Sequence, residues 1–263
     1  MDLNLRGRHA LVCGASQGIG RAAAVELAEL GADVTLLARS AERLASLADS
    51  LPRTHAAQRH AWRSVDMLDT DALKAQASGI VEASPVHILI NNTGGPPGGP
   101  IHSAAAAAFE ETFRQHVLAA HALVQTVLPG MRDSAYGRVV NVISTSVKEP
   151  IPGLGVSNTV RAAMAAWAKT MAGELAADGI TVNNVLPGYT RTGRLDGLLS
   201  VQAQKTGRSE QELAQEMAAS VPARRFGEPG EVAAVIAFLC TPAAAYVNGV
   251  SIAVDGGRTK ALS

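Results

Sequence analysis

Gly14, Gly18 and Gly20 lie in "CGASQGIG" (13–20) with the spacing G-x-x-x-G-x-G, together with Ser16, Gln17 and Ile19. Glycine at such points lets the backbone turn tightly and approach a ligand closely, and a helix opening there offers free N–H groups and partial positive charge to a phosphate. The apolar run "HALVCG" precedes the string and a helix-forming stretch follows it, the context in which it reads as a dinucleotide site. A second apolar run, "DVTLLA", ends at Ala38, where a site for an unphosphorylated ribose would place an acidic residue. Arg39 and Ser40 follow instead. A guanidinium can pair bidentately with a phosphate, so the expected cofactor is NADP, with NAD the weaker candidate. Asp66 and Met67 close a third run, at the adenine edge of such a site. Asn91, Asn92 and Gly94 close a fourth, where the chain would turn beside the cofactor.

These residues need a frame that brings the ends of several strands together. Seven short apolar runs, "HALVCG", "DVTLLA", "AWRSVDM", "VHILINN", "GRVVNVIS", "GITVNNVLPG" and "GVSIAVDGG", alternate with helix-forming stretches such as Ile19 to Leu30, Ala41 to Leu51 and Thr70 to Ala83. Several runs are apolar on both faces, as strands covered by helices on both sides must be. The alternation predicts an α/β Rossmann fold, a doubly wound, mostly parallel seven-stranded sheet in one domain spanning 1–263. Two stretches interrupt the rhythm: the turn-rich "GGPPGGP" (94–100), and 190–225, which carries the polar helix "SEQELAQEMAAS" with a Ser cap. The second follows a strand end, where open α/β sheets bind ligands.

Composition narrows the function classes. The chain has 263 residues, 23 Lys plus Arg against 23 Asp plus Glu, and a formal net charge of zero. No basic surplus argues for nucleic acid or an acidic membrane surface. Cys13 and Cys240 lack metal-ligand spacing and read as buried thiols, so no metal is expected. The N-terminus lacks a signal-peptide pattern and no apolar run reaches membrane-spanning length, so the expected place is the cytoplasm.

The chain is identified as a member of the short-chain dehydrogenase/reductase family by "CGASQGIG", "NNTG", "GRVVNVIS", "ITVNNVLPGYTRT", "RFGEPGEVAAVIAFL" and "YVNGVSIAVDGG", which together cover nearly all of it. The motifs are most similar to the 3-oxoacyl-carrier-protein reductase-like branch. The resemblance implies that Pro187, Gly188 and Thr192 border the nicotinamide, that 190–225 is a substrate lid, and that the protein is a homodimer or homotetramer. It also implies reduction of a carbonyl compound, a 3-oxoacyl thioester being the best single substrate class. In the family an Asn, a Ser, a Tyr and a Lys share the chemistry: the Tyr phenol moves the proton, the Lys lowers its pKa and binds the ribose, the Ser orients the carbonyl, and the Asn holds a relay water. Position by position, the Ser falls on Ser144, the Tyr on Ser157, the Lys on Arg161 and the Asn on His116. Thr93 stands where Ala is usual, and Cys13 where Thr is usual. "NNTGGPPGGP", "VKEP", "SN" and "VLPGY" resemble a non-standard subgroup in which the Tyr–Lys pair is missing.

The replacements alter the expected chemistry. A phenol has a pKa near 10 that a cation can lower toward neutrality; an aliphatic hydroxyl is a far weaker acid. Arg161 stays protonated, so it can bind and polarise but cannot shuttle a proton. General acid catalysis is worth about a hundred- to ten-thousandfold in rate, or roughly 3 to 5 kcal/mol. Hydride transfer belongs to the nicotinamide, so a slower reductase is physically allowed. His116, Lys148 or a water in the space left by the Tyr are the candidate proton sources, against packing or surface roles for both side chains. Tyr189 alone among the three tyrosines falls beside the pocket, as a substrate-facing group or as a ring packed on cofactor or lid. Two positions that bind the acidic carrier protein in the family fall on Ala135 and Asp178, with Arg132 and Arg138 close by. Three functions compete: an NADPH-dependent reductase with altered proton delivery, an NADP-binding sensor or partner subunit with little or no dehydrogenase activity, and a non-redox enzyme such as a lyase.

Overall fold

The computed structural model of the chain describes residues 1–262. The order is β1 (His9–Cys13), α1 (Gly18–Glu29), β2 (Asp33–Ala38), α2 (Ala41–Ser50), β3 (His60–Ser64), α3 (Thr70–Ala83), β4 (Ile88–Asn91), α4 (Ala106–Phe113), α5 (Ala119–Asp133), β5 (Gly137–Val142), α6 (Gly155–Leu175), β6 (Ile180–Pro187), α7 (Gly193–Thr206), α8 (Glu210–Ala219), α9 (Pro229–Leu239) and β7 (Ser251–Val254). All seven expected strands form. They build one sheet in the order β3-β2-β1-β4-β5-β6-β7, with every pairing parallel.

Strand side chains alternate between two apolar layers because successive residues point to opposite faces. Val12, Leu36, Ile90 and Val140 pack against Leu27 of α1, Leu44 of α2 and Ile236 of α9. Leu11, Leu37, Leu89, Val139 and Val182 pack against Leu73 of α3, Leu123 of α5 and Leu175 of α6. The connections after β1 run outward to β2 and β3, and those after β4 run the other way. The carboxyl ends of β1 and β4 therefore flank a topological switch point, where such sheets open a ligand crevice.

Two stretches differ from expectation. The third run stops as strand at Ser64, so Asp66 and Met67 lie in the loop beyond it. The stretch 190–225 holds two helices, not one: α7 precedes the expected α8. Gly193 and Gly197 weaken the helical pattern of α7; packing supplies what propensity lacks. Leu195, Leu199, Leu213 and Phe226 form a small separate core for the pair. Ser209 and Glu212 make a reciprocal capping box at the head of α8, the cap read from the sequence.

Among the described residues no group of three or more His, Cys, Asp or Glu could hold a metal ion, and no helix is long and apolar enough to cross a membrane. Cys13 and Cys240 are both buried.

Candidate functional site

A cleft of about 490 Å³ runs along the carboxyl ends of the strands. Gly14, Ser16, Gln17, Gly18 and Ile19 form one wall. Gly14 and Gly18 adopt φ of +59° and +57°, a region that glycine enters without strain. A Cβ on Gly14 would come within 2.5 Å of the Asn92 carbonyl oxygen, and one on Gly18 would sit 3.2 Å from Thr192 Cγ2. Asn92 Nδ2 donates to the Cys13 and Gly14 carbonyls at 3.4 and 3.3 Å, binding the turn after β4 to the turn after β1. Gln17 heads α1 without a side-chain cap, which leaves the first-turn N–H groups directed at the cleft for a phosphate. Gly20 belongs behind that wall rather than on it. A Cβ there would strike the Gly14 carbonyl oxygen, so its role is close packing of α1 on the turn.

Beyond β2 the cleft is lined by Ala38, Arg39, Ser40, Arg43, Val65, Asp66 and Met67. The Arg39 side chain is 78% exposed and only 3.9 Å from Asp66, a loose pair that a phosphate could displace. Arg43, which the sequence reading missed, projects from the first turn of α2 and donates to Gln17 Oε1 at 3.0 Å. Its signal was available: it stands three residues beyond Ser40, on the face of α2 that looks back at the loop. Two guanidinium groups at this end fit the extra phosphate that distinguishes NADP from NAD.

Ser144, Ser157, Arg161, Gly94, Pro187, Gly188, Tyr189 and Thr192 line the opposite end. Ser144 heads a short 3-10 turn, its Oγ accepting from the Ser146 N–H at 3.1 Å. Ser157 and Arg161 are one turn apart on α6 and so share a face. Arg161 is 8% exposed and donates through Nη1 to the Val142 carbonyl at 2.8 Å. Burial, and then the neighbouring Arg194 charge, lower its pKa to about 10, which keeps it a cation at neutral pH.

His116 is a correction. It lies in a π-helical turn (Arg114–Leu118) between α4 and α5, on the wall of a separate cavity of about 10 Å³ behind Thr93, and not on the cleft. Its Nδ1 is hydrogen-bonded to Thr93 Oγ1. Burial first, and the Arg161 charge second, push its pKa to about 2, against a backbone hydrogen bond with Gly94. The imidazole is therefore neutral at ordinary pH, and no imidazolium is there to act as a general acid. Lys148 is half-buried and also does not line the cleft. Tyr189 packs its ring edge-on against Phe226, centroids 6.2 Å apart, with the Arg258 guanidinium 4.5 Å above it; it is a ring packed on the two-helix segment. Tyr136 lies far from this chemistry and donates to the Cys240 carbonyl at 2.6 Å.

A polar ladder crosses the sheet beneath the site. Asn91 Nδ2 donates to Asn141 Oδ1 at 2.9 Å, Asn141 Nδ2 to Asn184 Oδ1 at 3.0 Å, and Asn184 Nδ2 to Ser251 Oγ at 3.0 Å. Asn91 Oδ1 is buried at its end without a partner among the described residues, and Asn91 lines the small cavity with Thr93, His116 and Arg161. That space suits a single water.

A family model described as enoyl-(acyl carrier protein) reductase matches residues 14–259. The fold is also that of a solved short chain dehydrogenase/reductase family protein, at 31% identity over 97% of this chain and 98% of the other, with a TM-score of 0.81. The chain belongs to the short-chain dehydrogenase/reductase family. Among short-chain dehydrogenase/reductase relatives, the 3-oxoacyl-[acyl-carrier-protein] reductase FabG of Vibrio cholerae is 33% identical over 258 residues, 97% of this chain and 98% of its own. A chloroplastic tropinone reductase homolog of Arabidopsis thaliana is 33% identical over 259 residues, 97% of this chain and 77% of its own. L-sorbose reductase from Gluconobacter frateurii, solved with NADPH and L-sorbose, superposes with a TM-score of 0.93 at 31% identity, covering both chains completely.

Proposed function

We propose that this protein is an NADPH-dependent carbonyl reductase with altered proton delivery. The observation that carries the proposal is one continuous cleft with a glycine cradle at its middle, two guanidinium groups where a 2′-phosphate would lie, and Ser144 with Arg161 at the far end. The related L-sorbose reductase with its NADPH supports it. NADPH, when bound, supplies the hydride. The turn at Gly14–Gly18 and the α1 N-terminus hold the pyrophosphate, and Arg39 with Arg43 holds the 2′-phosphate. Asp66 and Met67 border the adenine, and Asn92, Gly94, Pro187, Gly188 and Thr192 border the nicotinamide half. Ser144 donates to the substrate carbonyl oxygen, and Arg161 steadies the ribose and the negative charge growing on that oxygen. Ser157 is too weak an acid to lose its proton near neutrality, and neutral His116 off the cleft offers no imidazolium proton. The proton would then come from solvent, through a water admitted to the cleft that Ser144 and Ser157 line, the hydroxide left behind being reprotonated from bulk water. This arrangement would mark the subgroup that lacks the Tyr–Lys pair. The two-helix segment 190–225 acts as the lid, its α7 contributing Gly193, Arg194, Leu195 and Leu198 to the cleft wall.

A 3-oxoacyl thioester is the substrate suggested by the Vibrio cholerae relative. Delivery on an acidic carrier protein draws little support, because Arg132 is paired with Asp178 at 2.7 Å and Arg138 is buried over the Tyr136 ring. Assembly as a homodimer or homotetramer draws support from the exposed Ala162 and Ala166 of α6 and from Phe113 and Leu118, 39% and 45% exposed. The missing acid also favours a second reading, an NADP-binding protein with little turnover. Fluorescence titration with NADPH, followed by NADPH oxidation in the presence of ketones and 3-oxoacyl thioesters, separates them: binding with turnover supports the reductase, binding alone the second reading, and no binding by the folded protein removes both.

A further inference from the structure

Three guanidinium groups line the Ser144 end of the cleft, and no carboxylate is paired with any of them among the described residues. Arg161, Arg194 and Arg258 all contribute to the wall, while the single carboxylate on it, Asp66, lies at the far end beside Arg39. None of the three belongs to the five ion pairs of the described residues. Arg161 and Arg194 approach each other across Gly95: a Cβ there would lie 3.4 Å from Arg194 Nη2 and 3.8 Å from Arg161 Nη2. Arg194 is anchored by donating to the Pro96 carbonyl at 2.6 Å, in the proline-rich loop, and Arg161 by donating to Val142. Arg258 donates to the Tyr189 hydroxyl at 3.2 Å. Arg161 is buried while Arg194 is exposed on the cleft wall, so an anion entering the cleft meets a guanidinium fork free of any carboxylate and backed by a second positive charge.

We propose that Arg194, supported by Arg161, binds the carboxylate of a small oxo-acid substrate and so sets substrate specificity. The proposal rests on the carbonyl-reductase reading and narrows it. A thioester is uncharged next to its carbonyl and offers Arg194 no anion to bind, whereas a planar carboxylate matches the guanidinium fork with two charge-assisted hydrogen bonds. The cofactor's phosphates are a second possible source of the anion. They already have the α1 N-terminus and the Arg39–Arg43 pair, and the experiment separates the two sources.

Titration of the NADP⁺-loaded protein with oxamate, and with its uncharged counterpart oxamide, reads the preference without turnover. Oxamate is expected to bind about tenfold or more tightly than oxamide. Arg194→Gln is expected to remove most of that preference, Arg194→Lys to keep part of it, and both to leave NADP⁺ affinity within about twofold. Equal binding of the two probes, or no binding of either, would overturn the proposal. A preference untouched by Arg194→Gln would do the same, and a matching loss of NADP⁺ affinity would assign Arg194 to the cofactor. Failure of the underlying reading is separate: it shows as no NADPH oxidation by any carbonyl compound, whatever oxamate does.

Discussion

Arg161 and His116 show how burial, more than residue type, decides what an ionisable group can do. Imidazole in an unfolded chain takes up a proton near pH 6.5, but folded His116 resists protonation until about 2. Between those values only the unfolded chain binds the proton. The contribution to stability is complete above about 6.5 and is lost as pH falls, by about 1.4 kcal/mol per unit. His9 is lowered by burial too and acts in the same direction. Denaturant unfolding at pH 7 and pH 5 should therefore show a loss of stability on acidification, with a shallower slope in His116→Asn; an unchanged slope would contradict neutral burial of His116. Arg39 carries a second expectation at this scale. Arg39→Ala should weaken NADPH about ten- to a hundredfold, the worth of charge-assisted hydrogen bonds, and NADH hardly at all. Titration with both cofactors checks it, and equal losses would remove the 2′-phosphate assignment.

Among the elements, those with a strong local pattern were legible. "DVTLLA" became β2 residue for residue, and the Ser209 cap became a reciprocal box with Glu212. Helix α7 was not legible, because its two glycines and mixed polarity conceal a stripe that only the contact with α8 and Phe226 makes meaningful. Nor was the π turn at Arg114–Leu118, which no residue type announces and which accompanies the inward position of His116. The glycine turn expected from the sequence has the positive φ angles and close approaches of a tight turn, but the separate task of Gly20 needed the distance to Gly14. Gly14→Ala tests the element directly. The positive φ and the 2.5 Å approach to the Asn92 carbonyl leave no room for a methyl group. NADPH binding should fall below detection and thermal stability should drop, while far-ultraviolet circular dichroism keeps the α/β signature; unimpaired binding would contradict the cradle.

The whole molecule separates into a frame that sequence periodicity dictates and a reacting end that it does not. Parallel strands covered on both faces follow from apolar runs alternating with helical stretches, so the sheet and a ligand site at its strand ends were legible in the sequence, while the switch point came from the strand order. For the expected cofactor half, most of the residues picked from the sequence line one cleft, because each is a backbone turn or stands next to one, while Gly20 lies behind it and Arg43 was missed. The catalytic half was legible as a departure, Ser157 and Arg161 in place of Tyr and Lys. The convergence of Arg161 and Arg194 was not, since 33 positions of chain separate them and only the fold brings them to Gly95. The central claim is that hydride passes from NADPH to a carbonyl carbon in this cleft without a tyrosine acid. Deuterium transfer tests it most directly: the protein is incubated with NADPH deuterated at nicotinamide C4 and a panel of ketones, 3-oxoacyl thioesters and oxo acids, and the products are analysed by mass spectrometry. The account predicts an alcohol carrying the deuterium on its carbinol carbon, in an amount matching the NADPH consumed. Tight NADPH binding with no labelled alcohol from any member of the panel would contradict it.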